Sequence, residues 1–271
     1  MNKVILLTGA SSGLGAAMAL ALDKAGDRLA IAARRTERLQ ALATHMHEPL
    51  VLTADLSREE DAREIVRATV KHFGRIDVLI NNAASIIVDH SASVSPADML
   101  TAFRTNLIAP MVATQEALGF MRRQGRGHII NVGSPGFMVG VPFYAPYATT
   151  KGALTGWTRT LQAEWAGSEI VVSEFFPGYC KVDSPPDSRI GPVEQDFIMA
   201  EKQPFLSKYF TRPATPGKIA KLMVSLVEKP RPLVYSGFEV HLGAFIANLT
   251  RIRIRIGHQM AVNARNKMAK W

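Results

Sequence analysis

The feature that most constrains the fold is a regular alternation between short apolar runs and longer segments with helical spacing. The strand-like runs comprise residues 4–7, 28–33, 49–55, 76–82, 128–134, 170–176 and 231–237. Helical patterns occupy residues 13–25, 36–45, 58–73, 96–123, 147–166 and 215–228. Several runs are apolar throughout, as expected for strands that are buried on both faces of a parallel sheet. The alternation predicts an α/β fold, a doubly wound three-layer sandwich with a seven-stranded parallel sheet.

The composition suits a single domain of this kind. The chain has 271 residues, of which 47% are hydrophobic, and it shows no internal repeat or Gly/Ser linker, so we expect one domain over residues 1–237. Cys180 is the only cysteine, which excludes a disulfide framework and favours a reducing compartment. No run reaches the roughly 18 apolar residues that a membrane-spanning helix needs. The sequence therefore predicts a cytoplasmic protein.

The net charge of +9 is concentrated near the C-terminus. Six basic residues and no acidic residue lie between Arg251 and Trp271, within a basic extension, the tail, that comprises residues 238–271. The alternating run at 251–256 indicates a strand, whereas apolar residues at helical spacing indicate an amphipathic helix. Such a helix would either pack on the protein itself or lie on an anionic membrane surface. We predict no nucleic-acid partner, because the rest of the chain is only weakly basic.

A glycine-rich turn follows the first strand, in the sequence TGASSGLG. Gly9, Gly13 and Gly15 permit a tight turn, close approach to a pyrophosphate and close helix packing, so we expect Ser11, Ser12 and Leu14 between them to contact a dinucleotide as well. A plain glycine turn is the alternative. Arg34 and Arg35 stand at the end of the second strand, where an acidic residue would bind a ribose 2′-hydroxyl and an arginine a 2′-phosphate. The pattern favours NADP(H) over NAD(H).

Further polar and small residues follow the third and fourth strands. Asp55 and Leu56 come after the third strand, where they are predicted to meet an adenine ring, and Asn82, Ala83 and Ala84 come after the fourth. Ligands of open α/β sheets bind beyond the carboxyl ends of the strands. These clusters are therefore predicted to line one crevice.

Together with the motif Tyr147-x-x-x-Lys151, these elements resemble the short-chain dehydrogenase/reductase family, in its short single-domain subgroup. The resemblance covers about residues 3–237 and rests on motifs in family order: TGASSGLG, NNAA, Asn106 in RTNLIAP, Ser134 in NVGS, the Tyr-Lys pair and Pro177-Gly178. It implies a Rossmann-like fold and a cofactor contact at Pro177 and Gly178. It also implies a homodimer or homotetramer.

The resemblance further implies a role for each catalytic residue. Tyr147 would be the general acid/base, and Ser134 would hold the substrate oxygen. Lys151, one turn along the helix, would bind the nicotinamide ribose and lower the pKa of Tyr147. Asn106 would hold a water molecule in a proton relay. Val182 departs from the family pattern, because it stands where a threonine usually binds the nicotinamide carboxamide, and Ala84 replaces the usual glycine.

The segment between Ser134 and Tyr147 is almost entirely apolar. With Tyr179 beyond the sixth strand, its aromatic residues Phe137, Phe143 and Tyr144 are predicted to line a pocket for an apolar or lipid-like ketone or secondary alcohol. A proline-rich segment at about 179–216 is predicted to be a lid over the substrate; a surface insertion is the alternative. No metal site is predicted. The rival function is a non-catalytic dinucleotide-binding regulator or scaffold, whose basic tail docks on a membrane or nucleic acid.

Overall fold

The computed structural model describes residues 2–178, 180, 189–190, 214–237 and 240. Its strands are β1 Val4–Thr8, β2 Arg28–Ala33, β3 Leu50–Thr53, β4 Val78–Asn81, β5 Ile87–Val88, β6 Gly127–Val132, β7 Ile170–Phe176, β8 Arg189–Ile190 and β9 Leu233–Tyr235. Its helices are α1 Gly13–Lys24, α2 Thr36–Ala43, α3 Glu59–Phe73, α4 Pro96–Phe103, α5 Ala109–Gln124, α6 Gly136–Val139, α7 Ala145–Glu164 and α8 Pro216–Glu228.

The main sheet has seven parallel strands in the order β3-β2-β1-β4-β6-β7-β9. Ile5 of β1 pairs with Leu29 of β2 on one side and with Val78 of β4 on the other. Helices α1, α2 and α8 pack on one face, while α3, α5 and α7 pack on the opposite face. The predicted doubly wound α/β sandwich is confirmed, and each of the seven predicted strands is present in the sheet.

Local sequence explains where the helices begin and end. Helix α3 has Glu59, Glu60 and Asp61 in its first turn and Lys71 and His72 in its last, which matches the sign of the helix dipole at each end. Gly74 then adopts φ +79 and ends the helix.

Two features of the backbone were not predicted. A π-helical turn, Arg104–Ile108, separates α4 from α5, so the single helix predicted over 96–123 is interrupted. Strands β5 and β8 form a small parallel sheet of their own, in which Ile87 pairs with Arg189 and Val88 with Ile190. Runs of two residues are too short for a periodicity to mark them in the sequence.

A pair of asparagines forms a polar link inside the main sheet. Asn81 of β4 and Asn131 of β6 are register partners, and the Nδ2 of Asn81 donates to the Oδ1 of Asn131 at 2.8 Å. Asn81 also donates to Thr114 of α5 at 3.1 Å, and Asn131 donates to Thr158 of α7 at 2.9 Å. All four side chains are buried. The network joins two strands to the two helices that cover them.

A buried histidine lies where β6 and β7 adjoin. The hydroxyl of Ser173 donates its proton to the carbonyl oxygen of Arg231 at 2.6 Å, so the Nε2 of His128, 2.7 Å from that hydroxyl, must be the donor to it. The Nδ1 of His128 is buried with no hydrogen-bond partner. Burial, with a smaller contribution from the positive charge of Lys3, lowers the pKa of His128 to about 3. The imidazole is therefore neutral at physiological pH.

Candidate active site

Most of the predicted site residues follow the carboxyl ends of the strands of the main sheet, namely β1, β2, β3, β4, β6 and β7. Strand order reverses beside β1, because β2 leads the chain to one edge of the sheet and β4 leads it towards the other. In open α/β sheets such a reversal opens a crevice in which ligands bind.

The glycine turn after β1 is packed against the end of β4. Gly9 has φ +71, and a Cβ there would lie 2.7 Å from the Cα of Ala83. A Cβ on Gly15 would lie 2.1 Å from the carbonyl oxygen of Gly9 and 2.8 Å from the Nδ2 of Asn82. That amide nitrogen donates to the carbonyl oxygens of Thr8 at 2.9 Å and Gly9 at 3.3 Å. Asn82 and Ala83 therefore hold the turn in place.

Thr8 also holds this turn in place, although it was not selected from the sequence. Its Oγ1, which is almost fully buried, accepts hydrogen bonds from the backbone N–H groups of Asn82 at 3.0 Å and Ala83 at 3.1 Å. The same hydroxyl donates to the carbonyl oxygen of Ile80 at 3.2 Å. One side chain thus connects the ends of β1 and β4.

Arg35 lies over the serines of the glycine turn. Its Nη2 donates to the Oγ of Ser12 at 2.7 Å and to the Oγ of Ser11 at 3.0 Å, and its Nε lies 3.3 Å from the Ser11 Oγ. Ser12 is the N-cap residue of α1, but its side chain makes no capping hydrogen bond. The first N–H groups of α1 are therefore not satisfied by that hydroxyl. Arg34 is exposed.

The two predicted site residues after β3, Asp55 and Leu56, differ in how far their side chains are exposed. Asp55 is half-buried, and its Oδ1 accepts a hydrogen bond from the N–H of Ser57 at 3.0 Å. Leu56 is buried in the core beneath α3. Any contact of Leu56 with a cofactor would therefore involve mainly its backbone.

Ser134, Tyr147 and Lys151 come together beyond the end of β6. The Ser134 side chain lies close enough to the Tyr147 phenol to act on its pKa. The Nζ of Lys151 lies 5.8 Å from the centroid of the Tyr147 ring and donates to the carbonyl oxygen of Val132 at 2.8 Å. Only 2% of Lys151 is exposed, which is unusual for an ammonium group.

Burial acts on both titratable groups of this cluster. It raises the pKa of the Tyr147 phenol from its ordinary value, and the neighbouring Ser134 side chain only partly opposes the rise. The residue as a whole is half-buried. Burial also lowers the pKa of Lys151 to about 8. The net pKa of Tyr147 is therefore raised, not lowered as the sequence led us to expect, and burial is the largest cause. The ammonium loses its charge at a lower pH than that at which the phenol ionises.

Asn106 occupies the middle of the π-helical turn and is fully buried. Its Oδ1 accepts from the N–H of Ser85 at 2.6 Å, and its Nδ2 donates to the carbonyl oxygen of Ser85 at 2.8 Å. A second Nδ2 hydrogen bond reaches the Oγ1 of Thr150 at 3.1 Å. Ser85 and Thr150 were not selected from the sequence, because nothing in their spacing relates them to Asn106. The water-holding role of Asn106 stays a prediction.

Of the aromatic residues predicted to line the substrate pocket, Tyr144 adjoins Tyr147. The rings of Tyr144 and Tyr147 have centroids 6.4 Å apart, and Phe137 lies 6.2 Å from Phe176. Phe143 has φ +69, a left-handed conformation that is rare for a bulky residue, and its carbonyl oxygen accepts from the N–H of Asp89 at 3.0 Å. The lining of a substrate pocket by Phe137, Phe143 and Tyr144 stays a prediction.

The segment after β7 is described only in part. Pro177 and Gly178 are half-buried, and the N–H of Gly178 donates to the Oγ of Ser236 at 2.6 Å. Burial raises the pKa of Cys180, which disfavours a reactive thiolate. Tyr179, Val182, most of the predicted lid at 179–216 and almost all of the tail at 238–271 lie outside the described residues.

Among the described residues, no three or more His, Cys, Asp or Glu side chains are grouped as metal ligands would be. None of the helices in the same part of the chain has the length and apolar character needed to cross a membrane.

The chain is similar to known oxidoreductases both in sequence and in structure. The family model described as short chain dehydrogenase matches residues 3–189. An uncharacterized oxidoreductase of Bacillus subtilis strain 168 is 31% identical over 258 residues, which cover 92% of this chain and 70% of that protein. The structure of a variant actinorhodin polyketide ketoreductase with NADPH is 26% identical, with a TM-score of 0.74 and coverage of 86% and 95%. The 3-ketoacyl-(acyl-carrier-protein) reductase of Brucella melitensis, complexed with NADH, is 25% identical, with a TM-score of 0.74 and coverage of 86% and 96%.

Proposed function

Because the chain belongs to the short-chain dehydrogenase family, we propose that this NAD(P)-dependent oxidoreductase uses NADP(H) to interconvert a ketone and a secondary alcohol. One observation carries the proposal. The Ser134 side chain lies beside the Tyr147 phenol, whose pKa it acts to lower, and the Nζ of Lys151 lies 5.8 Å from the centroid of the same tyrosine ring. A carbonyl oxygen bound between the two hydroxyl groups would accept from both, which is the arrangement that proton transfer to it requires.

The glycine turn fits the pyrophosphate of a dinucleotide. Gly9 and Gly15 have no room for a Cβ, and Ser12 leaves the first N–H groups of α1 without a side-chain cap. Backbone N–H groups at a helix N-terminus bind phosphate well. When bound, the dinucleotide supplies or accepts the hydride. We propose that the crevice around it is completed by Gly13, Leu14, Asp55, Leu56, Asn82, Ala83, Ala84, Lys151, Pro177 and Gly178.

The protonation states favour reduction. At neutral pH Tyr147 is a neutral phenol, because burial raises its pKa, and Lys151 is largely charged, because its pKa is about 8. Tyr147 therefore holds the proton that a reduced carbonyl oxygen needs. Once the phenol has given up that proton, the nearby ammonium stabilises the resulting phenolate. We expect reductase activity to fall as the pH rises through about 8, because Lys151 then loses its charge.

Replacement of Tyr147 tests the catalytic assignment. Tyr147→Phe removes the acidic hydroxyl and keeps the ring, so ketone reduction should fall by at least about 100-fold while NADPH still binds. Tyr235→Phe is the matched control, because Tyr235 lies on β9, where it stacks on Phe176 with centroids 5.2 Å apart, and is not assigned to catalysis. Turnover is followed by the absorbance of NADPH. A Tyr147→Phe enzyme with near-normal turnover would refute the assignment, and a wild-type protein that turns over no ketone would favour the rival regulator.

Arg35 supports the preference for NADP(H). Its guanidinium and the hydroxyl groups of Ser11 and Ser12 form one cluster beside the turn that would bind the pyrophosphate. Arginine binds phosphate with two parallel hydrogen bonds, and a serine hydroxyl supplies another donor. The relatives do not decide the matter, since the actinorhodin ketoreductase structure contains NADPH and the Brucella reductase structure contains NADH.

The preference can be measured directly. Arg35→Ala should weaken NADPH binding by roughly 30-fold and change NADH binding by less than about 3-fold, because NADH has no 2′-phosphate. Arg38→Ala, an exposed arginine of α2, is the control and should change neither value. Binding is followed by fluorescence of the reduced cofactors. Equal losses for NADPH and NADH in Arg35→Ala would contradict the proposal.

The apolar surroundings of Tyr147 support an apolar or lipid-like ketone as substrate. Phe137, Phe143 and Tyr144 lie in the segment that joins Ser134 to Tyr147. We expect kcat/KM for 2-decanone and acetophenone to exceed that for dihydroxyacetone by at least about 10-fold, because transfer of several methylenes from water is worth about 0.8 kcal/mol each. The reverse order would contradict an apolar pocket.

The predicted quaternary structure also stays a proposal. Met99 and Leu100 of α4 are 36% and 55% exposed, which supports a homodimer or homotetramer with α4 at an interface. Analytical ultracentrifugation of Leu100→Glu against wild type tests this, since a new charge at an apolar interface should shift the protein towards the monomer. Cytoplasmic location and contact of the tail with a membrane surface remain predictions.

A further inference from the structure

Thr150 connects two of the residues assigned to catalysis. It is fully buried in the first turns of α7, between Tyr147 and Lys151 in the sequence. Its hydroxyl donates to the backbone carbonyl oxygen of Tyr147 at 2.8 Å. The same hydroxyl accepts from the Nδ2 of Asn106 at 3.1 Å. One side chain therefore joins the start of α7 to the π-helical turn.

The donors and acceptors of Thr150, Asn106 and Ser85 fit together in only one arrangement of hydrogen bonds. The threonine hydroxyl has a single proton, which goes to the carbonyl oxygen of Tyr147. The amide of Asn106 has two protons, which go to the Ser85 carbonyl oxygen and to Thr150. The amide oxygen of Asn106 accepts from the Ser85 N–H, so a 180° flip of the amide would lose these hydrogen bonds. Both side chains are fully buried, so water does not readily replace a lost partner.

We propose that Thr150 is a positioning residue, whose hydroxyl sets the first turn of α7 against the π-helical turn and thereby sets where the Tyr147 hydroxyl meets the substrate oxygen. The inference rests on the proposed function of Tyr147. Proton transfer requires hydrogen-bond distance between donor and acceptor, and a misplacement of about 1 Å costs about 100-fold in rate. A small rotation of the first turn of α7 is therefore enough to slow the reaction.

A matched control exists on the same helix. Thr158 is also fully buried, donates to the carbonyl oxygen of Leu154 at 2.7 Å and accepts from the Nδ2 of Asn131 at 2.9 Å. It thus makes the same two kinds of hydrogen bond as Thr150, two turns further from Tyr147. Thr150→Val and Thr158→Val remove the same group from the same type of environment. They should lower the melting temperature by similar amounts.

The activity of the two variants should differ. With the fastest ketone among 2-decanone, acetophenone and dihydroxyacetone, Thr150→Val should lower kcat at least about 10-fold and change KM for NADPH less than about 3-fold. Thr158→Val should keep kcat within about 3-fold, and Thr150→Ser, which restores the hydroxyl, should recover kcat to the same degree. A Thr150→Val enzyme with normal kcat would overturn the proposal, as would an equal loss in Thr158→Val.

A second measurement does not depend on a substrate. The chain has five tyrosines, so labelling the ring carbon that bears the hydroxyl with ¹³C gives few NMR signals, and Tyr147→Phe assigns the signal of Tyr147. Thr150→Val should shift or broaden this signal, and Thr158→Val should leave it unchanged. An unmoved signal in Thr150→Val would refute the positioning role. Failure of the proposed function is recognised separately, by a lack of turnover in the wild-type protein.

Discussion

Replacing Thr8 by valine removes a single hydroxyl group and keeps the shape of the side chain. The lost oxygen accepts hydrogen bonds from the N–H groups of Asn82 at 3.0 Å and Ala83 at 3.1 Å and donates to Ile80 at 3.2 Å. A buried donor left without a partner costs about 1–3 kcal/mol. Because Asn82 and Ala83 are only partly buried, the lower half of that range applies to each. For the two N–H groups together, we expect the free energy of unfolding to fall by about 2–4 kcal/mol.

Urea denaturation followed by circular dichroism measures this change, with a constant m-value as the sign that the extent of unfolding is unaltered. Thr69→Val is the control. Thr69 is also fully buried, but its hydroxyl only donates to the carbonyl oxygen of Ile65 within α3, so its loss leaves no N–H group without an acceptor. The free energy of unfolding of Thr69→Val should fall by less than about 1 kcal/mol. If Thr8→Val were as stable as Thr69→Val, the described role of Thr8 would be refuted.

Two further perturbations follow from the structure. Between pH 7 and pH 5, the free energy of unfolding of the wild type should fall by about 2 kcal/mol more than that of His128→Gln. The reason is that the folded-state pKa of His128 is lowered to about 3, so only the unfolded chain takes up a proton as the pH falls below about 6.5. Urea titrations at both pH values measure the difference, and equal losses in the two proteins would contradict it. Gly15→Ala should abolish NADPH binding, because the new Cβ would lie 2.1 Å from the carbonyl oxygen of Gly9. The control is Gly156→Ala on α7, where a Cβ meets open space, and it should raise the free energy of unfolding by about 0.5–1 kcal/mol. Wild-type affinity of the Gly15→Ala protein for NADPH in a fluorescence titration would refute the close approach.

The parts of the fold that could be predicted are those with a local signal. Strand β1 is buried along its whole length, so its apolar run marks it, and the glycines at 9 and 15 mark a turn that leaves no room for a Cβ. Spacing and residue type suffice where neighbours in sequence are neighbours in the structure.

The parts that could not be predicted depend on partners distant in sequence. Thr8 bonds to the end of β4, and Thr150 bonds to Asn106, 44 residues away. A threonine in a strand or a helix is unremarkable until its partner is known. The left-handed conformation of Phe143 was equally hidden, because a bulky aromatic residue has no preference for φ +69. The raised pKa of Tyr147 was not predicted, because its largest cause is burial, which spacing in the sequence does not reveal.

The buried asparagine pair has a consequence for how the chain folds. Parallel strands form late and slowly, because the chain must close a long loop before β4 and β6 meet. A slip of one residue between these strands would turn an amide to the opposite face of the sheet. Asn81 or Asn131 would then lie among apolar side chains with no partner, at a cost of about 1–3 kcal/mol. The pair therefore penalises misaligned intermediates and acts as a check on strand alignment before the sheet is complete.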